Sequence, residues 1–388
     1  GLVLDMTNFA TYIDSANDRA DIAQRGHAKQ KRTDLRLVGL GLVVTTDGGI
    51  PLCSHAYAGN PPDVTQFAGI VTELVERWGA LANSNDLTLV YDAGQDSEAN
   101  QAHIEASPLH FVGSLPPSDF PELLAVGARR YRPVGPDRYP GLTAFDTRGV
   151  ALGTERRLIV THSPTLHAKQ AQGFAQTTGV ARRRLAELAA RLARHKTRKN
   201  RAAVEAEIAE ILKPRWVNRV ITTTLGGDSP ATFTLDWALD PKALNALAAE
   251  MFGKRILFSD HDDWPVVDIV AAYRSQSTVE NDFRQMKDPR VVSFSPMFHW
   301  TDQKIRVHVF YCVLALAAAR LLAREAAKAR MPMSVRELLA TLAGIEETVL
   351  LYPSTGGRPK ARRMLTEIDP TQQGLYDLFG LDAYAPRR

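Results

Sequence analysis

Apolar and polar positions alternate from Leu35 to Thr45, stop at Thr46-Asp47-Gly48-Gly49, and resume from Ile50 to Tyr57. A period of two interrupted by a glycine-rich turn predicts a β-hairpin. Ahead of it, Leu2 to Asp5 reads as a strand. Behind it, Gly59-Asn60-Pro61-Pro62 breaks the chain. Val64, Phe67, Ile70, Val71, Leu74 and Val75 then recur at helical spacing, with Asp63 placed to cap. Leu87 to Tyr91 is a short apolar strand ending at Asp92. A helix from about Ser97 to Glu105 comes next, and then a strand from Leu109 to Val112. The order strand, hairpin, helix, strand, helix, strand predicts an α/β core with a mixed sheet, because parallel neighbours need helical crossovers.

Residues 116–264 break this rhythm and read as an insertion. Proline-rich stretches around 116–140 are loops. Arg182 to Leu212 reads as one long helix, dense in cations at Arg182-Arg183-Arg184, Arg194-His195-Lys196 and Arg198-Lys199. Trp216 to Leu239 looks strand-like, with a turn at Gly226-Gly227. Helix resumes at Val266 and continues through Lys287, and 303–328 is a second helix. The tail carries a helix near 334–343 and then Pro/Gly-rich, basic residues. The chain thus divides into 1–115, a first part of the core; 116–264, the insertion; 265–328, two further core helices; and 329–388, a tail.

Within 272–287, Tyr273, Glu280 and Lys287 are spaced by seven, about two helical turns, so they share one stripe. Val279, Phe283 and Met286 give the same helix an apolar flank. A carboxylate between an aromatic and a lysine, with Arg284 a turn away, suits a metal held beside a phosphate. Asp5 and Asp92, each ending a predicted strand, can supply the partner carboxylates, since ligands gather at the carboxyl ends of strands in an open α/β sheet. Three carboxylates can hold two Mg²⁺ ions for phosphodiester chemistry. Read singly, Asp5 and Asp92 are also turn residues, and Glu280 is also the i,i+4 partner of Arg284. His261, Asp262 and Asp263 read as a loop and helix-start cluster rather than as metal ligands.

Bulk properties narrow the picture only slightly. The chain has 388 residues, 45% hydrophobic and 23% charged, with a net charge of +4. That balance is compatible with nucleic acid without requiring it. Cys53 and Cys312 are far apart in apolar surroundings, which reads as buried free thiols in a reducing cytoplasm. Val307 to Ala323 is the most apolar run, interrupted by Tyr311, Cys312 and Arg320. It reads as a buried core helix and not as a membrane span. A strand-like run directly after Gly1 reads as a trimmed chain.

Several segments together resemble the bacterial insertion-sequence transposases with an RNase H-like DDE core, in the branch with a Tyr-x2-Arg-x3-Glu-x6-Lys signature. Leu4-Asp5-Met6-Thr7-Asn8-Phe9 resembles the first-aspartate strand. Gly26-His27-Ala28-Lys29 and Lys31-Arg32-Thr33-Asp34-Leu35 resemble the basic link into the hairpin. Val90-Tyr91-Asp92-Ala93-Gly94 resembles the second-aspartate strand. Tyr273 to Lys287 carries the glutamate. His299-Trp300-Thr301 with Arg306 to Phe310 resembles the family's segment on the carboxyl side of the glutamate helix. One departure is Gln276, which stands at the signature arginine position.

The resemblance implies a five-stranded mixed sheet flanked by helices, with a large insertion before the glutamate helix. It implies Asp5, Asp92 and Glu280 as catalytic and metal-binding residues, with Mg²⁺ or Mn²⁺ as cofactor. Tyr273, Arg274, Arg284, Lys287, Lys29, Arg32, Arg198 and Lys199 are the implied DNA-contacting residues. Trp300 is expected to anchor the last core helix rather than stack on a base. The implied reaction is cleavage at transposon ends and then strand transfer into target DNA, by a homodimer assembled on DNA. Two other readings stay open: an inactive, truncated DNA-binding relic, and a metal-dependent nuclease without strand transfer.

Overall fold

The structure is a computed structural model and describes residues 1–14, 16–26, 34–82, 87–195, 198–352, 356 and 360–385. The chain forms two compact units, Gly1–Gly113 with Ile269–Arg388, and Ser114–Asp268. In chain order the first unit opens with β1 (Leu2–Thr11), β2 (Arg36–Thr45), β3 (Pro51–Ala58), α1 (Phe67–Ala82), β4 (Thr88–Val90), α2 (Glu98–Glu105) and β5 (His110–Leu115). Its sheet order is β3-β2-β1-β4-β5. β1, β2 and β3 pair antiparallel, whereas β4 is parallel to β1 and β5 is parallel to β4. A three-strand meander leading to parallel strands reached through α1 and α2 is the RNase H-like arrangement.

The alternating residues of β1 assign the two faces of this sheet. A Cβ on Gly41 would lie 2.4 Å from Ile70 Cδ1 and 3.6 Å from Met6 Cγ, so α1 covers the Met6 face and only glycine lets it approach. Tyr91 belongs to that face too, with its ring 5.0 Å from Phe67 and its hydroxyl bonded to Gln101 on α2. Leu4, Met6, Leu40, Phe67 and Ile70 are all essentially inaccessible. Each such side chain stabilises the fold by roughly 1.5–3 kcal/mol on burial.

The second unit continues with α3 (Pro121–Leu124), β6 (Arg132–Pro133), β7 (Thr143–Ala151), β8 (Thr154–His162), α4 (Pro164–Leu192), α5 (Arg201–Leu212), α6 (Val217–Val220), β9 (Ile221–Gly226), β10 (Thr234–Leu239), α7 (Pro241–Met251) and β11 (Lys254–Ser259). β6, β7, β8 and β11 pair antiparallel in the order β11-β8-β7-β6, and β9 and β10 form a separate ribbon. The single helix predicted for 182–212 is corrected to α4 and α5. His195 takes φ 52°, and Asn200 starts α5 by accepting from Ala203 N at 2.9 Å.

The chain returns to the first unit through α8 (Val266–Arg274), then α9 (Gln276–Lys287), α10 (Asp302–Lys328), α11 (Val335–Ala343), β12 (Glu347–Tyr352), β13 (Lys360–Leu365) and α12 (Pro370–Leu378). The one helix expected through Lys287 is therefore divided at Ser275. Ser275 Oγ donates to Ala272 O at 2.5 Å and Ser277 Oγ to Arg274 O at 3.1 Å. These serines bond back to helix carbonyls and loosen the ladder there. Beyond α10, Ala326, Leu338 and Leu375 form a small core joining α10, α11 and α12, and β12 and β13 make an exposed ribbon.

α10 differs from expectation in its burial. Ile305, Val309, Cys312, Leu316 and Ala319 are buried, but Val307, Phe310, Tyr311, Leu314 and Leu321 are open, so only one face belongs to the core. Among the described residues it is the one helix long and apolar enough to cross a membrane. Cys53 and Cys312 are free and buried, and burial pushes their thiols up to about 12 and about 11.

Candidate active site

β1 runs on to Thr11, so Asp5 lies within a long strand rather than at its end. The strand that ends near Asp5 is its neighbour. β4 stops at Val90, which pairs with Val3 in parallel register. Two residues further along each strand stand Asp5 and Asp92. Residues two apart share a face, so both carboxylates project on the side opposite α1. Neighbouring strands are about 4.8 Å apart, which sets the scale of their separation. Asp5 Oδ1 accepts from Met6 N at 2.7 Å, and Asp92 Oδ1 accepts from Gly94 N at 2.9 Å to cap the adjoining turn. Both residues are half-buried.

α9 packs on that same face. Val279, Phe283 and Met286 are buried beneath it, and Lys287 Nζ donates to Thr7 Oγ1 at 3.3 Å while lying 5.3 Å from the centre of the Phe9 ring. Thr278 and Asp282 lie beside Gly49, in the turn after β2, whose Thr45 pairs with Leu2. α9 therefore runs in the direction of β1. Glu280 precedes Lys287 by seven residues, about 10 Å of helix or about three residues of strand. Three residues before Thr7 is Leu4, so Glu280 stands level with the Asp5 segment.

The helical wheel gives the direction in which Glu280 points. With Val279 at zero, Phe283 and Met286 fall at about +40° and −20°, and Asp282 at about −60°. Gln276, Lys287, Glu280 and Arg284 fall between about +60° and +140°. Asp282 points to the Gly49 turn, on the β2–β3 side. The opposite flank, with Glu280 and Lys287, is turned toward β1 and β4, where Asp5 and Asp92 project. By strand register and helix phase, the three carboxylates fall on one sheet face near the level of Asp5, with Lys287 about 10 Å further along α9.

Glu280 is exposed and lies 3.7 Å from Arg284, itself 74% exposed, a pairing of little energetic weight. Tyr273 is only 7% exposed and sits on α8, beyond the break at Ser275, so Gln276 takes its place in the stripe on α9. Arg274 ends α8 and is exposed. In the second unit, Arg198 is exposed and Lys199 is held by Glu207 at 2.8 Å. A hydrogen bond from Arg191, then Lys199, keeps the Glu207 carboxyl below its ordinary range. Lys29 and Arg32 lie outside the described residues. His261 stacks on Trp264 at 3.7 Å, and Asp262 receives Arg148 at 2.7 Å. Trp300 is 43% exposed between two cations, with Arg19 Cζ at 4.7 Å and Lys304 Nζ at 5.0 Å from its ring.

Two features around the site have no signal in the sequence. Asp63 opens the single 3₁₀ turn that leads into α1. It accepts the Tyr57 hydroxyl at 2.6 Å, and burial, that bond and the charges of Asp63 and Asp5 push the Tyr57 phenol upward. Asn100 ties the Asp63 turn to the turn after Asp92 by donating to Val64 O and Gln95 O. The second feature is the buried Asp282, bonded by Arg320 Nε of α10 at 2.6 Å, which fixes the roll of α9. A capping-type Asp-Val-Thr and one acid on an apolar flank give no pattern that marks either.

No curated protein matches the chain in sequence. Among solved structures it is similar to one described as the cryo-EM structure of a piggyBac transposase synaptic complex with hairpin DNA. The identity is 10% and the TM-score 0.40, with 88% of this chain and 51% of that chain covered. The chain thus spans about half the length of that relative. The profile of the family described as "Transposase DDE domain" matches residues 1–295, three quarters of the sequence, and it covers all three carboxylates. By that match, the chain belongs to the transposase DDE-domain family.

Proposed function

We propose that this chain cleaves DNA at the ends of a mobile element and joins the freed 3′ end to target DNA, with Asp5, Asp92 and Glu280 as its catalytic residues. What supports this is the register of β1 and β4 and the phase of α9, which turn the three carboxylates toward one sheet face, along the helix from Lys287. All three groups offer hard oxygen donors, which fit Mg²⁺ or Mn²⁺. Such ions, when bound, supply a Lewis acid and an activated oxygen nucleophile for in-line displacement at phosphorus.

The protein's own groups do the rest. Asp5 and Asp92 are set by backbone register and by local bonds to Met6 N and Gly94 N, so they enter the site already oriented. Glu280 is the adjustable member, exposed and paired only loosely with Arg284. Lys287, steadied by Thr7 and by the Phe9 ring, places a cation where a backbone phosphate would lie, and so positions DNA without reading its sequence. Arg284 extends that contact along α9, and the exposed Arg274 at the end of α8 offers a further one. Arg198 and Lys199 offer further phosphate contacts on the second unit. We propose that the chain works on DNA in the cytoplasm and that two copies assemble on paired ends.

The test is strand cleavage and joining on DNA carrying the native ends, with Mg²⁺. The expected result is product from the wild type and a loss of about 100-fold or more in Glu280→Gln and Asp92→Asn, since each removes a metal-binding carboxylate. Equal cleavage by Glu280→Gln removes the assignment. Cleavage without joining favours a plain nuclease.

A further inference from the structure

We propose that the open face of α10 is where two copies of this chain pair, antiparallel about a two-fold axis at Leu314. This deepens the paired assembly proposed above, rests on it, and assigns it a surface.

The exposed apolar residues of α10 form one seam. Val307, Phe310, Tyr311 and Leu314 recur at intervals of three and four and Leu321 follows after seven, the spacing that keeps a helix face against a partner helix. Ala317 and Ala318 continue the seam between Leu314 and Leu321. The opposite face is committed to the first unit: Arg306 donates to Ala56 O of β3 at 2.9 Å and Arg320 holds Asp282. The seam is therefore the part of the helix left open after it has packed.

Size alternation along the seam selects the direction of pairing. Its amino half carries the large Phe310 and Tyr311, and its carboxyl half the small Ala317 and Ala318. An antiparallel two-fold at Leu314 sets Phe310 against the second copy's Ala318, Tyr311 against its Ala317, and Val307 against its Leu321. Each bulky side chain then meets a gap. A parallel pair would oppose Phe310 to itself and leave alanines facing alanines, overfilled at one end and void at the other. The antiparallel pair also sets Lys304 within a turn of the second copy's Glu325, and it opposes the helix dipoles favourably.

The area is sufficient for specific association. At exposures of 46–63%, the five side chains leave roughly 500 Å² open on one copy. Complete coverage of the seam by two copies hides about 1,000 Å², the lower bound for a specific interface, which belongs with weak self-association, expected here in the micromolar range. A lipid surface fits less well. Lys304 and Arg306 flank the seam at one end and Arg324 and Lys328 at the other, and the buried half of the helix cannot leave the sheet without stranding Asp282.

Sedimentation equilibrium on the full chain without DNA, together with cysteine cross-linking, tests this. The wild type is expected to dimerise at micromolar concentration, and Leu314→Arg to be monomeric with unchanged circular dichroism. Under oxidation Leu314→Cys cross-links to itself. Val307→Cys and Leu321→Cys cross-link only when mixed. Cys53 and Cys312, at 2% and 6% exposure, stay silent. A wild type that remains monomeric at about 100 µM, well above the implied range, overturns the proposal. So does a dimeric Leu314→Arg, self-cross-linking of Val307→Cys, or wild-type flotation with anionic vesicles that Leu314→Arg abolishes. A wild-type monomer that still nicks DNA in a Glu280-dependent way overturns this pairing and leaves the catalytic reading standing.

Discussion

Asp282 offers a quantitative test of how α9 is held. Its side chain is 0% exposed, and Arg320, which bonds Oδ1 at 2.6 Å, is 16% exposed. Oδ2 has no hydrogen-bond partner. Burial raises the Asp282 carboxyl to about 6, with the Arg320 charge and hydrogen bond pulling it back. Replacing Asp282 with Ala leaves a largely buried guanidinium without a counterion, which costs about 3–5 kcal/mol. A domain of ordinary stability has only about 5–15 kcal/mol in total.

The same group sets a pH window. The folded carboxyl titrates near 6 and the unfolded one near 3.8, so the folded state holds the extra proton between those values. The contribution is complete below about pH 4 and is lost as pH rises through about 6. About two units correspond to roughly 3 kcal/mol. Asp282→Asn keeps the shape and cannot titrate. Urea unfolding in EDTA, from about pH 4 to about pH 7, is expected to show the wild type losing about 2 kcal/mol relative to Asp282→Asn, most of the full shift. A flat difference would mean that burial does not perturb this carboxyl. A difference of opposite slope would mean that Arg320 dominates, and would refute the reasoning.

Three further outcomes are expected from the same geometry. Gly49 has φ +68°, and a Cβ there would meet Asp282 Oδ2 and Thr278 Cγ2 at 2.9 Å, so Gly49→Ala is expected to cost about 2–3 kcal/mol in urea titrations, from left-handed strain plus the clash. Lys287→Ala should lower end cleavage at least about tenfold while Lys287→Arg retains more, because a phosphate contact needs the charge; melting should shift little in either. Arg284→Ala should leave stability within about 0.5 kcal/mol, given its exposed pairing, and should lower the slope of log DNA affinity against log salt by about 0.9.

Legibility in the sequence tracks the range of the interaction. The meander and the parallel strands are readable because a period of two and the Thr46–Gly49 turn are local signals. The carboxylates can be proposed from spacing because Asp5 and Asp92 come after apolar strands and Glu280 sits on an amphipathic helix. The break at Ser275 is hidden because serine tolerates a helix interior and its back-bonding to Ala272 O leaves no mark in periodicity. That break moves Tyr273 out of the stripe. The break after α4 is masked by helix-favouring residues on both sides of it. The open face of α10 reads as core in the sequence because an apolar run carries no record of which side finds a partner. Asp282 and Tyr57–Asp63 depend on partners that only tertiary folding supplies, as Arg320 is 38 residues from Asp282.

The central claim is that Asp5, Asp92 and Glu280 form one divalent-cation site. Iron-directed cleavage of the polypeptide reads this most directly: Fe²⁺ replaces Mg²⁺, ascorbate and peroxide generate radicals at the bound ion, and the cut sites are mapped. Cuts are predicted beside Asp5, Asp92 and Glu280 together, all suppressed by excess Mg²⁺ and by Glu280→Gln. Cuts confined to one of these segments, or unchanged in Glu280→Gln, would contradict a shared site.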